Sequence, residues 1–182
     1  MNLNTYNLSC SVNQSLQLQR FIQQNHLRPG DAIIVKEYNR GIIRNLADHY
    51  IVYLGDTLFM ANYRKGVEIL DCPTIFGFLP SMRVDRIRRF KGHDLDRQKA
   101  VKRALAQRNQ KNYHLILQNC EHFANKVQSG VAFSNQTLLA STAVATAGLV
   151  LMNKDNDLGK LVGGVLLLLG GAFATAELAK RT

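Results

Sequence analysis

Asn119-Cys120-Glu121-His122-Phe123, preceded by Gln118, sets a thiol where the polar segment Tyr113 to Gln118 gives way to a helical pattern through Ala124, Lys126 and Val127. The polar segment reads as the end of a strand. A cysteine in the first turn of a helix lies among backbone N–H groups that have no intrahelical partner. It also lies at the positive end of the macrodipole, and both features favour thiolate over thiol. A nucleophile is housed in this way, and it requires a base, an orienting group and a substrate from the rest of the chain.

Upstream of the thiol, the chain alternates turn residues with short apolar runs. Met1 to Ser11 is polar and patternless and reads as a loosely held tail, and Leu16, Leu18, Phe21 and Ile22 predict a short amphipathic helix that ends before Pro29. Pro29-Gly30-Asp31 marks a turn into the strand Ala32 to Lys36, and Tyr38-Asn39-Arg40-Gly41 is a second turn. Asp48 to Asp56 is the next strand, with Thr57 to Ala61 as its hairpin partner, and Val67 to Leu70 is a third after the turn Arg64-Lys65-Gly66. Cys72 to Pro80 reads as loop, Met82 to Phe90 as strand or edge, and Asp94 as the N-cap of a helix running to about Asn109. The fold class is therefore α+β: a small antiparallel sheet packed with helices, followed by an apolar helical hairpin. At 182 residues, one domain with a core plus an appendage is expected. The boundaries fall at 1–26 (tail and short helix), 27–130 (thiol domain) and 131–182 (apolar tail).

Charge and cysteine usage narrow the partners. The net charge is +10, and Arg83 to Lys111 holds eleven Lys or Arg against three Asp, so the basicity is local. Such a segment is either a solvated helix face or a surface for anions. It carries no aromatic interleaving to stack bases, so no nucleic acid is expected. Three cysteines, Cys10, Cys72 and Cys120, do not suggest a disulfide framework, and a reducing compartment is expected. The start of the chain shows no basic n-region with an apolar run, so no cleaved signal is expected. Cys72, His114, Cys120 and His122 lack paired ligand spacing and no phosphate-cradling glycine loop occurs, so neither metal nor cofactor is expected.

Downstream of the thiol, Leu138 to Met152 and Leu161 to Ala176 are apolar runs rich in Ala, Gly and Leu. Each is short for a span, since such a run covers about 24 Å as an α-helix against a hydrocarbon core of ~30 Å. Gly163-Gly164 and Gly170-Gly171 permit close helix approach in lipid and offer a surface for oligomerisation. A hairpin sets Lys126 and Lys180-Arg181 on one side, with a charge-balanced connection of Lys154 and Lys160 against Asp155 and Asp157. By the positive-inside tendency, the thiol domain then faces the cytosol. The competing reading is a buried helical pair in a larger core.

Among the histidines, His49 opens a strand and so has a rigid mount. His122 stands two positions from Cys120, where helical side chains do not face each other. His26, His93 and His114 have no obvious partner. His49-Tyr50-Ile51-Val52-Tyr53-Leu54-Gly55-Asp56, followed by Asn119-Cys120-Glu121-His122-Phe123, resembles the paired signatures of the lecithin:retinol acyltransferase-like family over about Leu27 to Ser129. Pro29-Gly30-Asp31 agrees with it. The resemblance implies a circularly permuted papain-like fold, with Cys120 as the nucleophile that takes up an acyl group as a thioester and His49 as its base. It implies a third polar residue on the following strand, usually histidine, for which this chain offers Asn62 as a possible orienting residue. The backbone N–H of Cys120 suits an oxyanion donor. Glu121 and Phe123 read as structural.

The expected function is a membrane-associated, cysteine-dependent acyltransferase or acyl hydrolase acting on phospholipid or another acyl lipid. Membrane contact is expected through 138–176 and the basic segment 83–111. The alternatives are a cysteine peptidase or amidase of the same fold, and a non-catalytic membrane adaptor or pore-forming effector.

Overall fold

A computed structural model of the chain describes residues 10–36, 48–63, 66–82, 84–110, 119–153 and 156–180. The expected N-terminal tail up to residue 9, the turns at 38–41 and 64–65, the segment 113–118 with His114, and Lys154, Asp155 and Arg181 lie outside the described residues. The chain divides into two compact units, Met1–Gly130 and Val131–Thr182.

The first unit is α+β. A five-stranded antiparallel sheet runs in the order β4-β3-β2-β1-β5, from β1 (Ala32–Lys36), β2 (Asp48–Gly55), β3 (Leu58–Tyr63), β4 (Gly66–Ile69) and β5 (Arg86–Arg88). Strand β1 enters through Arg28-Pro29-Gly30-Asp31, where the Asp31 N–H donates to Arg28 O at 3.0 Å and Gly30 has φ +91°. That pairing of Pro with a following positive-φ residue is a type II turn, which favours glycine at its second central position.

Side-chain alternation splits the sheet into two faces. Ala32, Ile34, Tyr50, Val52, Leu54 and Met60 pack with α3 (Asp94–Ala106) and α4 (Cys120–Ser129). Ile33, Val35, Ile51, Tyr53, Phe59 and Ala61 pack with α1 (Val12–Gln24) and α2 (Cys72–Phe78). Strands with both faces covered read as continuous apolar runs, as Ala32 to Val35 and Tyr50 to Leu54 do.

Three expectations change. Cys72 to Phe78 is a helix and not a loop: the Asp71 side chain accepts from the Thr74 N–H at 2.9 Å, and Pro73 stands in the first turn, where no N–H is required. That helix carries Cys72 to Cys10, and the two are joined by a disulfide, Cα to Cα 5.4 Å, against the expectation of unpaired cysteines. The N-cap of α3 is His93, with Asp94 and Asp96 in the first turn, and the helix ends at Ala106.

Three arginines of the basic segment, Arg88, Arg97 and Arg103, are turned inward. The Arg97 side chain is 9% exposed and donates to Asp31 Oδ1, Pro29 O and Phe90 O. Asp31 also accepts from Arg89 and from the N–H groups of Phe90 and Arg28. Burial alone would raise the Asp31 pKa, but these donors outweigh it and hold the carboxyl below the usual range. Arg103 donates to Val127 O and Gln128 O near the C-terminal end of α4, where the macrodipole favours a cation.

In the second unit, α5 (Asn135–Met152) and α6 (Asp157–Ala179) pack against each other along their lengths. They are longer than the apolar runs within them, 18 and 23 residues, and both are long and apolar enough to cross a membrane. The residues buried in α5 are Thr137, Ser141 and Gly148, and those buried in α6 are Gly163, Gly170 and Glu177.

Candidate active site

The position of the thiol follows from how α4 begins and ends. Asn119 has extended backbone, and its Oδ1 accepts from the N–H groups of Glu121 and His122 at 3.0 Å each. The Asn119 N–H in turn donates to His122 Nδ1 at 3.4 Å. His122 thus closes a capping box, in the position where Glu or Gln usually stands. Gly130, at φ +86°, ends the helix, and its N–H donates to Lys126 O. The apolar side of α4 (Phe123, Ala124 and Val127) is buried against the sheet and α3, which fixes the orientation of the first turn.

This packing brings Cys120 to the start of β2. The Cys120 Sγ lies 4.0 Å from His49 Nδ1, and the thiol donates to Asp48 O at 3.4 Å. The sequence pair separated by 71 positions is therefore a spatial pair. The His49 ring also packs against two aromatic rings, Phe78 of α2 at 5.3 Å and Tyr63 of β3 at 6.1 Å, centroid to centroid. Tyr63 and Phe78 contact each other at 4.7 Å. Neither aromatic neighbour was legible as a site residue, because one depends on strand register and the other on a helix that was read as loop.

Asn62 stands on β3. Val52 pairs with Met60 and Tyr53 with Phe59, and this register carried back along the strands sets Tyr63 across from His49 and Asn62 across from Tyr50. Adjacent strand residues point to opposite faces. Asn62 is buried.

The electrostatics of the thiol differ from the expectation of a favoured thiolate. Cys120 is 5% exposed, and its pKa is pushed up to about 11, first by burial and further by the Glu121 charge. The backbone N–H groups of Tyr50, Cys120 and Glu121 act in the opposite direction, as a helix start should, but burial wins. The resting sulfur is a protonated thiol, which makes a nearby base necessary.

Beneath the thiol lies a buried polar group that sequence reasoning did not connect. Glu121 is 1% exposed, and the Tyr50 hydroxyl donates to its Oε1 at 3.4 Å. The Arg88 guanidinium from β5 lies 5.1 Å from the Tyr50 ring centroid and donates to Asn125 Oδ1 at 2.6 Å. Arg88 Nε and Nη2 are buried without a hydrogen-bond partner, at a cost of roughly 1–3 kcal/mol for each unmade bond. Tyr50 is pushed up to about 12, by burial first and then by Glu121, so it stays a phenol donor. Among the described residues, no three His, Cys, Asp or Glu side chains gather where they could hold a metal ion.

Residues 70–133 match the family model described as Lecithin retinol acyltransferase. The matched stretch contains α2, β5, α3 and α4 with Cys120, while His49 and Asn62 precede it. No curated protein matches the chain.

Proposed function

We propose, from the premise that this chain is LRAT-like over residues 70–133, that it is a membrane-associated acyltransferase or acyl hydrolase that carries a lipid acyl group on Cys120. The observation that carries the proposal is the 4.0 Å approach of Cys120 Sγ to His49 Nδ1, at the start of a capped helix inside the matched stretch. In the proposed cycle, the thiol leaves the Asp48 carbonyl and gives its proton to His49 Nδ1, and the sulfur attacks the ester carbonyl of a lipid. The developing oxyanion is met by the backbone N–H of Cys120 at the α4 start. The imidazolium returns the proton to the departing alkoxide, which leaves a thioester on Cys120. His49 then takes a proton from water or from an amine or hydroxyl acceptor, whose oxygen or nitrogen attacks the thioester and regenerates the thiol.

The lipid substrate suits the second unit. Helices α5 and α6 are candidates to hold the chain at a bilayer, and the exposed lysines of the basic segment, such as Lys91, Lys99 and Lys102, suit anionic headgroups. The Cys10–Cys72 disulfide weighs against the cytosol-facing orientation expected from the loop charges, because such bonds persist in oxidising compartments.

Release of fatty acid or acylated acceptor from phosphatidylcholine vesicles tests the reading. Cys120→Ala and His49→Ala are each expected to lower it by at least about a hundredfold with the fold intact. Full activity in either variant contradicts the mechanism. A non-catalytic adaptor is the second reading, favoured by the burial of the Cys120 thiol, and it predicts no release by the unaltered chain either.

A further inference from the structure

The residues next to the reactive pair in sequence are themselves a pair. His49 is followed by Tyr50 and Cys120 by Glu121, and the Tyr50 hydroxyl donates to the Glu121 carboxylate in the core behind the site. We propose that this bond is a brace between β2 and α4, with Glu121 as the positioning residue that keeps Cys120 in register with His49. The proposal rests on the acyl-transfer reading of those two residues.

Three features of the geometry support it. The first is what happens during a turnover. The bond from the Cys120 thiol to Asp48 O also ties α4 to β2, but it vanishes once the sulfur carries an acyl group, because its donor hydrogen has gone. The Tyr50–Glu121 bond survives that step and can hold the thioester under His49 while the acceptor arrives.

The second is the choice of a carboxylate. Glu121 is almost fully buried, beside Phe123 and Ala124, in a helix whose other buried positions are Cys120, His122, Asn125 and Val127. A buried charge is costly unless paired, and an apolar residue of similar volume often gives equal or better stability. The third is the supporting cation. Arg88 reaches from β5 over Ala32, the small residue paired with it on β1, to lie against the Tyr50 ring and bond Asn125, one turn beyond Glu121. It thereby offsets the carboxylate charge and pins the same helix face a second time.

Among the described residues, the charged and titratable groups around the first turn of α4 are Asp48, His49 and Tyr50 from β2, Arg86 and Arg88 from β5, and Glu121 and His122 beside Cys120 on α4 itself. Arg103 of α3 meets the opposite end of α4. Of the acidic side chains among them, Asp48 is paired to Arg86 at 2.7 Å, so Glu121 is the carboxylate bonded within the core face.

The test uses the full chain and two probes. With p-nitrophenyl butyrate as acyl donor, Tyr50→Phe and Glu121→Leu are expected to lower kcat by about ten- to a hundredfold with KM unchanged, the effect of a small misplacement. Glu121→Gln, which keeps an acceptor for the Tyr50 hydroxyl, is expected to restore most of the rate. With iodoacetamide, which finds Cys120 as the free thiol while Cys10 and Cys72 are joined, Glu121→Gln is expected to move the midpoint of alkylation to lower pH. A purely structural role for Glu121 would lower the melting temperature without moving that midpoint. Equal kcat in the unaltered chain, Tyr50→Phe and Glu121→Leu overturns the proposal, as does an alkylation midpoint unchanged in Glu121→Gln. If the unaltered chain releases no p-nitrophenol, the acyl-transfer reading fails, and the alkylation arm still decides whether Glu121 acts on the thiol.

Discussion

The two units bury opposite kinds of residue. In Met1–Gly130 the core is Phe21, Ile33, Ile51, Leu54, Phe59 and their neighbours, and the buried Asp31 is paired with Arg89 and Arg97. In Val131–Thr182 the buried positions are Ser134, Thr137, Ser141, Gly148, Gly163, Gly170 and Glu177, and leucines such as Leu139, Leu161 and Leu168 are exposed. The first arrangement follows from water as solvent. The second is what helix pairs adopt in hydrocarbon, where small residues allow close backbone contact and leucine gains nothing by hiding.

The contrast breaks most visibly at Asp31. Asp31→Ala leaves the buried Arg97 guanidinium without its carboxylate and is expected to cost about 3–5 kcal/mol in denaturant unfolding. Because the folded pKa of Asp31 lies below its unfolded value, its contribution is present above the unfolded pKa near 3.8 and is lost as pH falls through the depressed value. In the variant that acid-linked loss should disappear. An unchanged acid limb would assign the stability to other carboxylates.

The hairpin should respond to backbone clearance instead of charge. A Cβ on Gly163 would come 2.6 Å from Gly148 O, whereas one on Gly164 meets nothing within 4 Å. Thermal unfolding in detergent micelles is expected to show Gly163→Ala destabilised by about 1–3 kcal/mol through overpacking. Gly164→Ala should be neutral or stabilised by up to about 1 kcal/mol through helix propensity. Equal behaviour of the two would mean that the helices do not meet through Gly163. Smaller again, and back in the first unit, Asn119→Ala removes the acceptor for two N–H groups and is expected to cost about 1 kcal/mol.

Local signals carried most of the fold. The turn at Pro29-Gly30, the apolar strands around Ile33 and Ile51, and the helix that starts at Cys120 are each set by residues close in the chain, and they were legible. The stretch Cys72–Phe78 reads as loop in the sequence and is a helix, for which Asp71 ahead of it is a start signal. What could not be read depends on contacts far apart in sequence. The Cys10–Cys72 bond closes 62 positions, and the Tyr50–Glu121 bond closes 71. Composition likewise does not reveal that Arg88, Arg97 and Arg103 of the basic segment turn inward.

The proposed cycle requires Cys120 to take up an acyl group only with His49 beside it. Intact-protein mass spectrometry with peptide mapping, after brief exposure to phosphatidylcholine vesicles and an acid quench, reads that event directly. The predicted result is one acyl adduct on Cys120, removed by hydroxylamine and absent from His49→Ala. An unaltered, folded chain that never acquires the adduct, or a His49→Ala chain that acquires it equally well, would contradict the account.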